Sequence, residues 1–413
     1  MDQESVDVVV VGGGIAGSAL ATVLARAGLE VLVLERQTAY RDKVRGEFLA
    51  CWGVAEMQRL NLEKPLLGAG GCYVTRAVFY DEVFDPSEAE AGARALDQIV
   101  PGVPGSFDVG HPEACEALTR AAAEAGATVI RGVGDIAVSA GAAPSISYEH
   151  DDLVYDVSCR LVVGADGRMS TVRRQLGIAL EQTTPRTMCG GMLVDELHAW
   201  PSDQVALGTE GDLHYFFFPR PGGRARLYLL HGIEQKGRFA GPAREVDFLT
   251  AYQFRCIPDS EMFGAVRPAG PCAFYPMNDG WTDRPYAPGV VLIGDAAGWN
   301  DPIIGQGLSI ALRDVRIVAD ILRSTEDWRP ASFAEYGEER RERMRRLLIA
   351  ARVATDIRAT FSPRGAARRR TYYTLMATDL VLAGPLLTTQ RGPEQLPAES
   401  FEKPNIDRIL ALS

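Results

Sequence analysis

Residues 289–312, GVVLIGDAAGWNDPIIGQGLSIAL, decide how this chain is read. A short apolar run at 290–293 ends in Gly294-Asp295, a loop of small residues follows, and a helix-like run begins near Leu308. Apolar runs of this length bounded by glycine suit a parallel strand covered on both faces. An acid at the carboxyl end of such a strand stands on the edge where open α/β sheets bind ligands. The loop from Pro302 to Gly307 carries little that would keep a flat ligand off the backbone.

The first forty residues supply a second piece of the same edge. Residues 6–11, VDVVVV, read as a buried strand, and Gly12-Gly13-Gly14-Ile15-Ala16-Gly17 fits G-x-G-x-x-G. A helix-like run follows to Gly28, and a second strand, EVLVLE, closes on Glu35. In a dinucleotide-binding βαβ unit the first glycine permits the tight turn, the second admits a pyrophosphate, and the third lets helix and strand pack closely. The helix start offers free N–H groups and a positive dipole end to phosphates. Glu35 lies 18 residues after Gly17, where a carboxylate meets ribose hydroxyls. NAD and FAD both suit this unit; the longer FAD needs a second set of contacts for its flavin end.

A third piece is residues 159–177, CRLVVGADGRMSTVRRQLG, where a strand ends in Asp166-Gly167 and Ser170 is placed to cap a helix. Together the G-x-G-x-x-G, D-G and G-D segments resemble the FAD-binding motifs of the group A flavoprotein monooxygenases, the para-hydroxybenzoate hydroxylase superfamily. The resemblance spans roughly residues 6–325 and lies in the combination. It implies an α/β fold: a Rossmann-like FAD-binding domain, an interleaved β-sheet substrate domain and a helical C-terminal region. It implies FAD contacts from Gly12, Gly14, Ile15, Ala16, Gly17, Glu35 and Arg36 at the adenine end. Asp166 and Gly167 would lie near the pyrophosphate, and Gly294 and Asp295 at the ribityl chain. Pro302, Gly305, Gly307, Leu308 and Ser309 would meet the ring, the helix start facing its pyrimidine edge. Arg45, in the RGE segment at 45–47, would contact FAD and shape the nicotinamide route, against the alternative of a surface cation. His111 falls near the ribityl position, with a capping or packing role equally open. Two departures stand out: Gly298 where many members have histidine, and Ser309 where many have asparagine. Gly298 is also similar to the geranylgeranyl reductase branch and the flavin halogenases.

Composition narrows the partners. The chain has 413 residues, 46% of them hydrophobic, with a formal net charge of −11. That charge argues against binding a nucleic-acid backbone. The basic stretch at 340–346 is interleaved with Glu338, Glu339 and Glu342, the pattern of a solvated helix face. Seven scattered cysteines with no C-x-x-C pair suggest reduced thiols. The acidic MDQESVD start has no secretory pattern, and the apolar stretch at 375–387 is broken by Asp379 and Pro385. A cytoplasmic protein without an integral membrane span is expected.

The expected organisation interleaves the domains: 1–75, 106–178 and 281–330 for FAD, 76–105 and 179–280 for substrate, and 331–413 helical. Within the second, DLHYFFFPRPGGRARLYLLHG reads as a hairpin turning at 221–223. Tyr215 and Phe217 share one face of its first strand and His214, Phe216 and Phe218 the other. Alternation alone leaves open which face lines a pocket. The resemblance implies a monooxygenase in which NAD(P)H reduces FAD, O2 adds at the flavin C4a carbon, and one oxygen atom passes to an aromatic or other electron-rich small molecule. His214, Tyr215 and Tyr73 are candidate bases for a phenolic substrate, and Pro302 is the loop residue nearest the chemistry. The alternative is a flavin-dependent prenyl reductase, which the YFFFP segment and Gly298 favour, while Gln306 and Asp314 look more like the monooxygenases. Halogenation is disfavoured, since no W-x-W-x-I-P stretch surrounds any of the five tryptophans. A non-catalytic flavoprotein is the remaining alternative.

Overall fold

Valines at 8–11 are β-branched, apolar and almost wholly buried, and they place the opening strand at the centre of the first large sheet. The computed structural model describes residues 4–44 and 46–413. Strand Glu4–Val11 runs parallel to Val31–Glu35 on one side, with Val11 opposite Leu34. On its other side it runs parallel to Leu153–Gly164, with Val11 opposite Gly164. Thr128–Arg131 extends the sheet beyond the second strand, and Val290–Leu292 extends it beyond the third. All three motif-bearing strands therefore end at the same edge. Helices Ile15–Arg26, His111–Glu124 and Gly307–Ser324 pack together, their apolar stripes joining the core under the sheet.

The second large sheet contains Arg76–Phe79, Arg94–Ala95, Thr187–Asp195, Gln204–Glu210, Leu213–Arg220 and Arg224–Gly232. The expected hairpin joins Leu213–Arg220 to Arg224–Gly232, with Arg220 opposite Arg224. Its two faces now separate. Tyr215 and Phe217 sink into a core with Trp200, Phe248, Tyr252 and Phe263. Phe216 joins a different cluster, with Phe48, Ile303 and the C-terminal helices. Phe218, on the same side, stacks on Phe48 with ring centroids 5.1 Å apart. This face looks toward the loop after Asp295.

Helices Ala334–Arg358, Pro363–Leu375, Leu380–Arg391 and Lys403–Leu410 close the molecule. Ser362 and Asp379 cap two of them, accepting from the N–H groups of Gly365 and Leu382. The basic stretch at 340–346 corrects its sequence reading. Arg345 and Arg346 do pair with Glu342 at the surface, but Arg340 and Arg343 are buried at 1% and 3% exposure. Alternating charge hides this because one turn of the helix faces a buried aspartate. Among the described residues, no helix is long and apolar enough to cross a membrane.

Candidate functional site

The three loops at the sheet edge touch one another. A Cβ on Gly12, whose φ is +103°, would lie 2.5 Å from the Ala165 carbonyl oxygen and 2.8 Å from the Asp166 Cα. One on Gly294 would lie 3.2 Å from the Cβ of Ala16. Arg168 Nε reaches Asp295 Oδ2 at 3.3 Å, tying the D-G loop to the G-D loop. Buried Arg173 donates to the carbonyls of Ala296 and Arg168 at 2.8 and 2.9 Å and stitches the same two loops from beneath. The sequence alone brings these segments no closer than a hundred residues; the parallel sheet makes them neighbours.

Within each loop, buried and accessible positions alternate in a way that leaves one continuous rim. Gly12, Gly14, Ala16, Asp166, Gly167, Asp295, Pro302, Gly305 and Leu308 keep accessible surface and Gly307 is exposed, whereas Ile15, Gly17 and Ser309 are buried. Gly17 is small for packing, since its Cβ would lie 1.9 Å from the Gly12 carbonyl oxygen. Gly14 is not: a Cβ there meets no atom of the described residues within 4 Å. Helix Ile15–Arg26 begins at Gly14 with no side-chain cap and no acid in its first turn. Helix Gly307–Ser324 begins the same way, one residue earlier than expected. Both ends carry uncompensated N–H groups and positive dipole ends at the rim.

The acids divide their work. Glu35 is buried, and its carboxylate accepts from the Gly13 N–H at 2.6 Å and the Gln37 N–H at 2.8 Å. It clamps the glycine loop, and each oxygen keeps a lone pair for a ribose hydroxyl. Asp166 Oδ2 caps helix Thr171–Gln175, accepting from the N–H groups of Thr171 and Val172, while its buried Oδ1 has no partner among the described residues. Ser170 caps the same helix through the Arg173 N–H. Arg36 is exposed beside Glu35. His111 starts its helix against Gly46 and Cys115. Ser309 is packed against Gly53 of the neighbouring helix. Arg45 lies outside the described residues. Gly298 explains its departure from the histidine pattern: its φ is +131°, and a Cβ would lie 2.5 Å from the Gly280 carbonyl oxygen on the paired strand.

Beneath the G-D loop lies a network of which the motif reading named only Asp314. Fully buried Asp314 accepts from the Gly294 N–H at 2.8 Å and pairs with Arg340 Nε at 3.0 Å and Arg343 Nη2 at 2.6 Å. Arg340 in turn donates to the carbonyls of Ala297 and Gly298 at 3.0 and 3.1 Å. Burial would raise the Asp314 carboxyl, but Arg340 and Arg343 outweigh it and hold it below its ordinary range. A hidden cue existed: arginines three apart on a helix share a face.

Across the rim stands an aromatic wall. Phe48 lies beside Gly305 and against Phe218, and Phe216, Phe218 and Tyr228 continue from it. Behind it, Glu47 is buried and holds Arg226 at 2.8 Å and Arg220 at 2.8 Å, with Tyr228 donating to it at 3.2 Å. Asp108 nearby is fully buried with neither oxygen partnered among the described residues, and burial pushes its carboxyl well above the ordinary range despite Arg220. Of the proposed bases only His214 touches this wall, its ring edge-on to Phe216 at 4.7 Å, and it has no exposed surface. Tyr215 is fully buried on the opposite face and donates to the Tyr80 carbonyl at 2.7 Å, which corrects its candidacy. His214 is on the near side of its strand but sealed, bonded to Thr209 Oγ1 at 2.8 Å. Burial, then Arg358 and Arg369, hold its imidazole well below its usual pKa, so it is neutral at pH 7. Tyr73 donates to Glu63, and burial, then that partner, raises its phenol out of the useful range.

The residues fit FAD. The uncapped helix starts, the space over Gly14, the Asp166 oxygen without a partner among the described residues and partly exposed Asp295 line one rim, the kinds of group that a phosphate, a sugar alcohol and a flat ring need. Comparison with known proteins agrees. A family model described as FAD binding domain matches residues 5–351. Digeranylgeranylglycerophospholipid reductase 2 of Methanopyrus kandleri is 28% identical over 361 residues, 81% of this chain and 82% of the relative. Menaquinone reductase of Mycobacterium tuberculosis is 28% identical over 341 residues, 78% of each. Among solved structures, OxyS anhydrotetracycline hydroxylase from Streptomyces rimosus superposes with a TM-score of 0.72 at 23% identity, over 93% of this chain and 76% of that one.

Proposed function

The chain belongs to the FAD-binding domain family, and on that premise we propose that it is an FAD- and NAD(P)H-dependent monooxygenase acting on an apolar, aromatic or otherwise electron-rich small molecule. FAD, when bound, supplies the activation of O2 and passes on the electrons of NAD(P)H. The chain supplies the rest. The start of helix Ile15–Arg26 and the open face of Gly14 take the pyrophosphate, and Glu35 the ribose. Asp295, steered by Arg168, accepts a ribityl hydroxyl. The start of helix Gly307–Ser324 steadies negative charge at the ring's pyrimidine edge. Phe48, Phe216, Phe218 and Tyr228 seat the substrate and keep water from the reacting atoms.

The observation that carries this reading is the placement of one rim, built from three distant loops, directly opposite an aromatic wall at Gly305 and Phe48. The test is turnover of a phenol and polyketide-like aromatic panel by the purified yellow protein, with NAD(P)H oxidation followed in air and under argon. Stimulated oxidation that needs oxygen is expected. Equal rates with and without oxygen would overturn it.

A second reading has its own support: saturation of an isoprenoid double bond. The two relatives named above carry reductase names, and two of the candidate bases are withdrawn from the wall's open face, His214 sealed and Tyr215 turned away. Anaerobic NAD(P)H-dependent turnover of a prenyl compound would decide for it.

A further inference from the structure

The hairpin that carries the aromatic wall also has a reverse face, and near its turn that face is not filled. A cavity of about 240 Å³ lies between the turn and the chain at 197–202. The two sides are fixed to each other. The Leu197 N–H donates to the Gly223 carbonyl at 2.8 Å. Gly223 has a φ of +71°, and a Cβ there would lie 2.4 Å from the His198 ring, so only glycine lets the imidazole sit against the turn. The apolar side of the cavity is aromatic: Trp200 and Phe217 both line it, their ring centroids 4.3 Å apart.

The rest of the lining is rich in donors. His198, Ser202 and Arg224 are exposed there, and the Arg220 side chain is 10% exposed. Although so deeply placed, Arg220 Nε makes no hydrogen bond among the described residues. A buried donor of this kind costs free energy until something accepts from it. Arg220 Nη2 lies 2.8 Å from Glu47 Oε1, and Arg224 Nε 2.9 Å from Asp195 Oδ1, but neither acid lines the cavity. Among the described residues no carboxylate does. Two guanidinium groups, an imidazole and a hydroxyl around a space without an acid select an anion. The volume and the aromatic side select a single ring, since a cavity of about 150 Å³ already admits benzene.

The cavity is not part of the wall. Phe217 points into it, whereas Phe216 and Phe218 on the same strand turn to the cluster around Phe48. Arg220 is the residue common to both regions, through its pairing with Glu47 behind the wall.

We propose that this cavity is a second binding site, separate from the wall, for a small aryl anion: its ring lies against Trp200 and Phe217, and its carboxylate, sulfonate or phosphate is held by Arg220 and Arg224 with His198 and Ser202.

Isothermal titration of the FAD-loaded protein with benzenesulfonate, benzoate and benzyl alcohol tests it. At least one of the two anions is expected to bind about tenfold or more tighter than the alcohol, the scale of one charge-assisted hydrogen bond. The better anion identifies the head group. Arg224→Gln should abolish the preference and leave the alcohol unchanged; Arg267 also holds Asp195, at 2.8 Å, so that variant strands no acid. Ser202→Trp, on an exposed position, should fill the space and weaken all three ligands. Phe216→Ala, on the wall, should leave the anion's affinity within twofold. An alcohol as tight as both anions, a preference that survives Arg224→Gln, or binding lost in Phe216→Ala would overturn the proposal. Anion binding by a protein that takes up no FAD would defeat the flavoenzyme reading and leave this site standing.

Discussion

At the sheet edge the working atoms are mostly backbone: N–H groups at two helix starts, a carbonyl beside Gly17, and the bare surface of Gly14. At the aromatic wall they are all side chains, drawn from residues 48, 216, 218 and 228. Backbone sites need particular small residues at fixed spacing, because only their absence of bulk lets chain and ligand meet. Walls need only hydrophobic size and a strand period, which many residue types satisfy. The edge therefore demands particular residues at particular places, and the wall only apolar bulk on one face of a sheet.

The largest effect is expected where the edge is most deeply supported. Asp314→Ala leaves Arg340 and Arg343 buried without their anion and frees the Gly294 N–H, a loss of about 3–5 kcal/mol in denaturant unfolding together with lost FAD retention. The pH dependence has a definite sign. Because the folded carboxyl is held below its unfolded value, its contribution is complete at neutral pH and disappears as pH falls through the folded pKa. A variant as stable as the parent would show that the edge holds its shape without this network.

The next effect separates two glycines that look alike in the motif. Gly14→Ala meets no protein atom and keeps an ordinary φ of −70°, so the empty protein should unfold within about 1 kcal/mol of the parent. Its methyl group stands where the pyrophosphate approaches, so FAD affinity should fall about tenfold or more. Gly17→Ala, colliding with the Gly12 carbonyl, should lose stability and FAD together. Isothermal titration of FAD beside urea melts reads both. Unchanged affinity in Gly14→Ala would place the phosphates elsewhere.

These pairs also mark what sequence can disclose. Gly12, Gly14, Gly17, Glu35, Asp166 and Asp295 stood out because each is an acid or a gap at a strand end, and the structure gathers all six at one edge. The hairpin was readable, but its inward face was not, since Tyr215 and Phe216 are equally aromatic and only packing distinguishes the sides. Arg340 and Arg343 were hidden by the glutamates beside them.

Between edge and wall lies Asp301, which accepts from the Ile303 N–H at 3.0 Å and fixes the turn from Pro302 to Gly305. Burial, with the charge of Asp279 adding to it, raises its carboxyl to about 7, while the Ile303 N–H, Arg168 and Arg186 oppose the shift. The folded state thus keeps a proton that the unfolded chain releases near pH ~4. Stability should decline as pH rises from there to about 7 and level off above. Asp301→Asn preserves the accepting oxygen and should flatten the slope of melting temperature between these limits. A slope that persists would assign the proton to Asp279, whose carboxyl burial also raises.

The smallest effect contrasts neighbours on one strand. Tyr215→Phe deletes a hydroxyl that serves only the Tyr80 carbonyl in the far core, so it should cost about 1 kcal/mol of stability and leave kcat and KM within twofold of the parent. Phe216→Ala removes a ring from the wall and should raise KM for an apolar substrate while FAD binding stays unchanged. The two substitutions sit one residue apart, so their different outcomes measure which side of the sheet meets the substrate. Loss of turnover in Tyr215→Phe with stability intact would return that phenol to the chemistry and reverse the assignment of the two faces.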